Sequence, residues 1–383
     1  MVPGDVHRAE KIQTGLGGKG QDVAITLKCL SSEANVNLAQ FVGKGASGDA
    51  VYELLEGLFE KEELSLTIRA ESEMRTCTSI IASDETTELV EPSGVIVEKE
   101  MISLLRLVEE QAQRNAAGLC IMGSMPPGCD DSSYAKMFER AAGPDTLTVI
   151  DSVVGIGPLL KSMASSSKSG SAIFKVNGSE LCRLAGVEKQ SSEAGGTQID
   201  EIVLAVKRFQ ELHSPYASQA LDGFAITDGR HPAFFVSSGT TSDHVSVFQI
   251  PTPTLPAEQT AFPIGAGDAV AAGTLAAWLY LSDPKKNKPF IDTTCRKLLQ
   301  KVHQHYEGLQ SAVPAEQVAA FAFGLGCGSA SKYPTRLKRR RVQPVFSHGL
   351  VNSRRFPNLT FASQCHLFAF TIEHVQSLSR LLE

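Results

Sequence analysis

Between residues 102 and 227 the chain alternates short apolar runs with longer stretches whose apolar residues recur at helical spacing. The spacing predicts helices over 102–114, 134–142 and 201–212, and strands over 118–122, 146–150, 171–176 and 223–227. Parallel neighbours need a long crossover, usually helical, so helices between successive strands imply βαβ units in a parallel sheet. The expected fold is therefore α/β: a doubly wound, mostly parallel sheet. Such a sheet binds ligands outside the carboxyl ends of its strands. Four polar turns occupy those positions: Gly123-Ser124-Met125-Pro126-Pro127-Gly128, Asp151-Ser152, Asn177-Gly178-Ser179-Glu180 and Thr227-Asp228-Gly229.

Earlier in the chain a helix is expected over 21–30, a strand over 35–43 and a helix over 48–55. Strands at 66–69, 75–82 and 86–90 then follow with no helix between them, which predicts a small antiparallel layer beside the main sheet. Such a layer is a natural lid. Residues 163–170 read as a surface loop, and 233–236 and 245–250 as edge strands. Residues 282–314 read as a polar insertion, and 315–330 as an apolar helix able to wall a nucleotide pocket.

The stretch Phe262-Pro263-Ile264-Gly265-Ala266-Gly267-Asp268 runs into a helix of small residues. Its glycines free the backbone to turn, and the first amides of a helix attract an anion, so a phosphate is expected above Ala266 and Gly267. Asp268 has two readings. It is a general base that takes a proton from an attacking hydroxyl, or it is a plain helix cap. A second glycine loop, Gly15-Leu16-Gly17-Gly18-Lys19-Gly20, satisfies GxGxxG but lacks the buried strand that a dinucleotide site requires before it. Here Lys19 suits phosphate or sugar oxygens and Asp22 suits hydroxyls, against a solvated charge and a helix cap. Asn177 and Glu180 likewise form a capping box, organise Mg²⁺ through water, or do both.

A hydrophobic content of 42% with 20% charged residues is that of an ordinary globular chain, and a net charge of −6 argues against nucleic acid or membrane surfaces as partners. Small-molecule work is favoured. The eight cysteines are scattered without a CxxC pair, as expected of reduced thiols in a cytoplasmic protein. No apolar run is long enough to span a bilayer. A length of 383 residues allows two domains or one large domain with a lid.

Taken together, Gly17-Gly18-Lys19-Gly20, the Gly123 to Gly128 turn, the Asn177 to Glu180 box and Gly265-Ala266-Gly267-Asp268 come in the order of the PfkB (ribokinase-like) carbohydrate kinases. Met74-Arg75-Thr76-Cys77-Thr78 followed by Thr87-Glu88-Leu89-Val90-Glu91-Pro92 resembles the 1-phosphofructokinase and tagatose-6-phosphate kinase branch. The resemblance implies an ATP-dependent sugar kinase that uses Mg²⁺, with a sugar or sugar phosphate as acceptor, most readily a hexose phosphate, and a homodimer formed through the lid. It makes Asp268 the catalytic base and Gly265, Ala266 and Gly267 the anion hole. Gly18, Lys19, Asp22, Arg75 and Ser124 would bind the acceptor. Asn177 and Glu180 would serve Mg-ATP, and Thr227 and Gly229 the nucleotide. The kinase domain would occupy 1–333, with lid segments at 6–18 and 66–92, and 334–383 would form a divergent basic tail. Three positions depart from the family pattern: Asp22 and Phe262 replace its usual residues, and Pro232 stands where a second glycine is usual. By the resemblance, the chain is expected to begin within the lid, without the strand that opens family members.

Overall fold

Where apolar and β-branched residues cluster in short runs the chain pairs as strands, and where they recur every three or four residues it coils. The computed structural model describes residues 6–331, apart from 10–11, 13, 83–84, 113–115, 167–170, 189–195, 239–245, 253–263 and 308–313. The basic run Lys338-Arg339-Arg340-Arg341, Phe262 and Pro263 therefore lie outside the described residues, as does half of the expected loop at 163–170, whose first three residues are instead helical.

The elements run α1 (Lys19–Leu30), β1 (Gln40–Lys44), α2 (Gly45–Glu56), β2 (Thr67–Glu73), β3 (Cys77–Ala82), β4 (Glu85–Val90), α3 (Glu98–Ala112), β5 (Gly118–Met122) and α4 (Ser133–Ala141). They continue with β6 (Leu147–Asp151), α5 (Ile156–Ser165), β7 (Ala172–Asn177), α6 (Gly178–Ala185), α7 (Ile199–Leu212), α8 (Tyr216–Ala220), β8 (Gly223–Asp228), β9 (His231–Ser237) and β10 (Val247–Ile250). The chain then forms α9 (Ala266–Ser282), a 3-10 turn at Lys288–Phe290, α10 (Thr293–Glu307) and α11 (Ala315–Ser331). Strands and helices alternate as the sequence predicts. The fold class is α/β with a mostly parallel core, and among the described residues antiparallel pairing joins β3 to β4 and runs through β8, β9 and β10.

Two compact units make up the chain. The first comprises Met1–Ile25, Asn35–Ala172 and Phe209–Asp222. Within it β5 and β6 pair in parallel, Gly118 opposite Leu147 through Met122 opposite Asp151. The lid strands differ from expectation: β2 pairs in parallel with β1, and only β3 and β4 form an antiparallel hairpin. Between β1 and β2 the helix α2 covers the pair, and Leu55, Phe59 and Leu64 pack with Val42 in a small core. Among the described residues of 6–18 there is no strand.

The second unit comprises Thr26–Ala34, Ile173–Arg208 and Gly223–Glu383. Here β7 and β8 are parallel, and β9 lies between β8 and β10. Contrary to its reading as an edge strand, β9 buries four successive residues, Ala233 to Val236. The expected polar insertion is also corrected, since α10 buries Cys295, Leu298, Leu299 and Val302 on one face. The largest buried helix is α9, in which every residue from Asp268 to Tyr280 is buried. It packs against α11 through glycines. A Cβ at Gly324 would lie 2.3 Å from Thr274 Oγ1 and 2.5 Å from the Val270 carbonyl oxygen, and one at Gly328 2.7 Å from the Ala266 carbonyl oxygen. No side chain fits between those backbones.

Candidate active site

The opening of α9 is built from residues that cannot obstruct it. Gly265 is the N-cap, with φ 76° in the left-handed region that glycine adopts without strain, and having no side chain it leaves the opening amides uncapped by that residue. Asp268 is the third helical residue, 8% exposed, and its negative charge suits the positive end of the helix. Beside it comes a cation that the sequence reading missed. Lys175 lies in the middle of β7 and is 5% exposed. Its Nζ reaches the first turn of α9, where a Cβ on Gly267 would lie 3.0 Å away. An ammonium is costly to bury unless negative charge or acceptors meet it. The lysine is visible in the sequence, but a single charge does not break the apolar pattern of the strand.

Strand alternation puts Ile173, Lys175 and Asn177 on one face of β7, so the residue that ends the strand follows the lysine toward the same side. At that end the capping box is real. Asn177 Oδ1 accepts from the Glu180 amide at 2.8 Å, and Glu180 Oε2 accepts from the Asn177 amide at 3.1 Å. Cross-strand pairing sets Thr227 opposite Asn177, and Gly229, φ 64°, makes the turn from β8 into β9. Asp228 fixes the neighbouring segment by accepting from the Thr197 amide and, at 3.1 Å, from Thr197 Oγ1. That segment sits on Gly178, where a Cβ would be 2.6 Å from Thr197 Oγ1.

The described residues contain no group of three or more His, Cys, Asp and Glu able to cage a metal. Asn177 and Glu180 offer oxygen donors, the kind that Mg²⁺ takes.

In the first unit Gly18, Lys19 and Asp22, three of the residues expected to bind the acceptor, lie at the start of α1. Gly18, φ 138°, turns the chain so that its carbonyl accepts the Asp22 amide at 3.0 Å, and Lys19 becomes the first residue of the helix rather than a loop charge. The Lys19 ammonium contacts Asp151 Oδ1 at 2.6 Å. Asp151 closes β6 and is 2% exposed. Gly123, φ 84°, follows β5 and leaves room for the lysine stem, whose Cβ would be 3.7 Å from a Cβ there. The Gly123 amide donates to the Asp151 carbonyl at 2.8 Å, and Tyr134 Oη donates to the carbonyls of Met122 and Gly123, both at 3.0 Å. Ser124 follows, exposed. Burial, and then the charge of Asp151, push the Cys120 thiol up to about 12. Arg75 stands in the connection from β2 to β3, exposed, with Nη1 donating to Ser93 Oγ at 2.7 Å.

Three solved structures share this fold. Phosphofructokinase-2 of Escherichia coli in its tetrameric inhibited form is 20% identical, with a TM-score of 0.56 over 87% of this chain and 88% of that one. A protein of Thermotoga maritima described as "possible 1-phosphofructokinase" is 16% identical, with a TM-score of 0.54 over 87% and 86%. Adenosine kinase of Anopheles gambiae in complex with P1,P4-di(adenosine-5) tetraphosphate is 14% identical, with a TM-score of 0.52 over 84% and 81%. The pattern of the pfkB family of carbohydrate kinases matches residues 1–290, the span that carries Lys19, Asn177, Glu180 and the Gly265 to Asp268 helix opening, and the chain belongs to that family.

Proposed function

We propose that this carbohydrate kinase transfers the γ-phosphate of ATP to a hydroxyl of a hexose phosphate. The observation that carries the reading is the buried Lys175 ammonium against Gly267, on the same helix turn as the buried carboxylate of Asp268. The acceptor hydroxyl gives its proton to Asp268 as its oxygen attacks phosphorus, and ADP leaves from the opposite side. Charge spreading over the transferred group is met by the opening amides of α9 and by Lys175. Mg²⁺, when bound with ATP, supplies charge neutralisation at the phosphate oxygens, with Asn177 and Glu180 holding its water. Thr227 and Gly229 meet the nucleotide. Gly18, Asp22 and Ser124 take sugar hydroxyls, and Arg75 offers its forked donors to the sugar phosphate.

A second reading, a kinase of an unphosphorylated sugar or nucleoside, is favoured by Asp22 and by the carboxylate already joined to Lys19. In either case residues 1–333 form the kinase domain, in a cytoplasm that supplies ATP and keeps thiols reduced. The exposed Leu89 and Val90 of β4 suit a homodimer through the lid.

The test is ATP turnover, with and without Mg²⁺, on fructose 1-phosphate, tagatose 6-phosphate, fructose, ribose and adenosine, with ligand-induced thermal shifts alongside. A phosphosugar is expected to give the highest kcat/KM. In Arg75→Ala its KM should rise about one to two orders of magnitude, the worth of a charged hydrogen bond. Equal weakening of the phosphosugar and its free sugar would overturn the phosphate role of Arg75. Binding without turnover would make the protein a silent sugar or nucleotide binder.

A further inference from the structure

The first turn of α1 directs a polar side chain inward. Gln21 is 5% exposed and shares a helix face with Ala24, which packs with Leu38 and Val42 in the small core. Its carboxamide heads a relay into β1 and β2. Gln21 Nε2 donates to Gln40 Oε1 at 2.9 Å, Gln40 Nε2 to Thr67 Oγ1 at 3.3 Å, and Thr67 Oγ1 to the Leu38 carbonyl at 3.2 Å. A carbonyl can only accept, so the last bond sets the direction of all three. Gln21 Oε1 is left at the head, buried, and among the described residues nothing donates to it. Burying an amide is costly unless both of its ends are satisfied. A methionine would fill the same length without that cost, so packing alone does not call for glutamine here.

The relay lies between two groups of residues expected to bind the acceptor. At its head, a Cβ on Gly18 would lie 3.9 Å from Gln21 Cδ, so the carboxamide rests beside the turn that opens α1. At its foot, Gln40 and Thr67 begin the parallel register of β1 and β2, which continues to Lys44 opposite Glu73. The Met74 amide then donates to the Lys44 carbonyl at 3.2 Å, and Gly43 lies so close to the Met74 backbone that no side chain fits at that position. Arg75 is the next residue. We propose that Gln21 is a positioning residue: through the relay it sets the span between the start of α1, with Gly18, Lys19 and Asp22, and Arg75 past the end of β2. A sugar phosphate that bridges the two ends needs this span, whereas a free sugar meets the α1 end alone. The inference rests on the reading of these four as acceptor residues, and it deepens that reading by naming what holds them in register.

The experiment measures the Kd of fructose 1-phosphate and of tagatose 6-phosphate, each beside its free sugar, by calorimetry on the full chain with a saturating non-hydrolysable ATP analogue. Gln21→Met keeps the length of the side chain and removes both polar atoms. The tighter phosphosugar should weaken about tenfold, the worth of one hydrogen-bonded group, while its free sugar and the ATP analogue change by less than about twofold. Gln40 is half-buried on β1, and Gln40→Met breaks the relay without touching α1. It should weaken the phosphosugar in the same direction, and the double variant should be no weaker than Gln21→Met, since both act through one chain of bonds. Additive losses, equal weakening of phosphosugar and free sugar, or natural affinity in folded Gln21→Met would each overturn the proposal. Should Gln21→Met not fold, Gln40→Met decides alone: a loss confined to the phosphosugar supports the relay, and natural affinity overturns it. If the natural protein binds neither phosphosugar, the hexose phosphate reading falls and takes this proposal with it. If it binds one and the variants match it, the proposal alone falls.

Discussion

Lys175, on β7, reaches the turn of α9 that carries Asp268, and the proposed transfer divides its chemistry between them. Asp268→Asn removes the proton acceptor while keeping a group that fits the helix opening. Single-turnover phosphate transfer should slow by about two to four orders of magnitude, with calorimetric ATP affinity nearly unchanged. If that variant instead fails to fold, the carboxylate is a cap. Lys175→Met matches the length of the stem and removes the ammonium. Its kcat should fall about 10²- to 10³-fold, the usual cost of losing one donor to developing charge. Wild-type turnover in a folded Lys175→Met protein would remove the lysine from the phosphate site. Asp268 was legible in the sequence because a carboxylate beside two glycines is conspicuous. Lys175 was not, because Ala172-Ile173-Phe174-Lys175-Val176 reads as a buried strand and a single charge does not break that pattern.

Helices and strands of the main sheet were legible because each has its own period, 3.6 or 2. Partnership between strands was not. Nothing local in residues 66–73 says that β2 pairs in parallel with β1 across the whole of α2, so the lid reads as one antiparallel layer when it is two separate pairs. The helix α10 carried its signal, Cys295, Leu298, Leu299 and Val302 at helical spacing, but lysines and histidines between them made the stretch look like an insertion. The close packing of α9 on α11 was equally hidden, because glycines in a helix read as weak points rather than contacts. Gly324→Ala places a methyl against Thr274 Oγ1 and the Val270 carbonyl. It should destabilise the fold by about 1–3 kcal/mol or more, read as a lower urea midpoint. Gly20→Ala in α1, where nothing lies within 4 Å of the new methyl, should be neutral or slightly stabilising. Equal behaviour of the two variants would mean that the α9–α11 approach is looser than its geometry.

The last described element ends at Ser331, and the family pattern ends at residue 290. With the kinase domain proposed as 1–333, a chain ending at Tyr333 should keep the melting temperature and ATP turnover of the full chain, compared in parallel assays. A drop in either would give the final fifty residues a part in folding or catalysis. The glycine contacts of α9 also bear on how this molecule opens. Where side chains separate two helices, rotamer changes let amides reach water one at a time. Here Gly324 and Gly328 lie against the Val270 and Ala266 carbonyls of α9, with Thr274 Oγ1 and Val270 Cγ2 the nearest side-chain atoms, and the glycines themselves have no side chain to swing aside. In deuterated buffer the amides of α9 from Ala269 to Leu279 should therefore exchange together, at one common rate set by separation of the helix pair. A graded series along α9 would instead reveal fraying from one end.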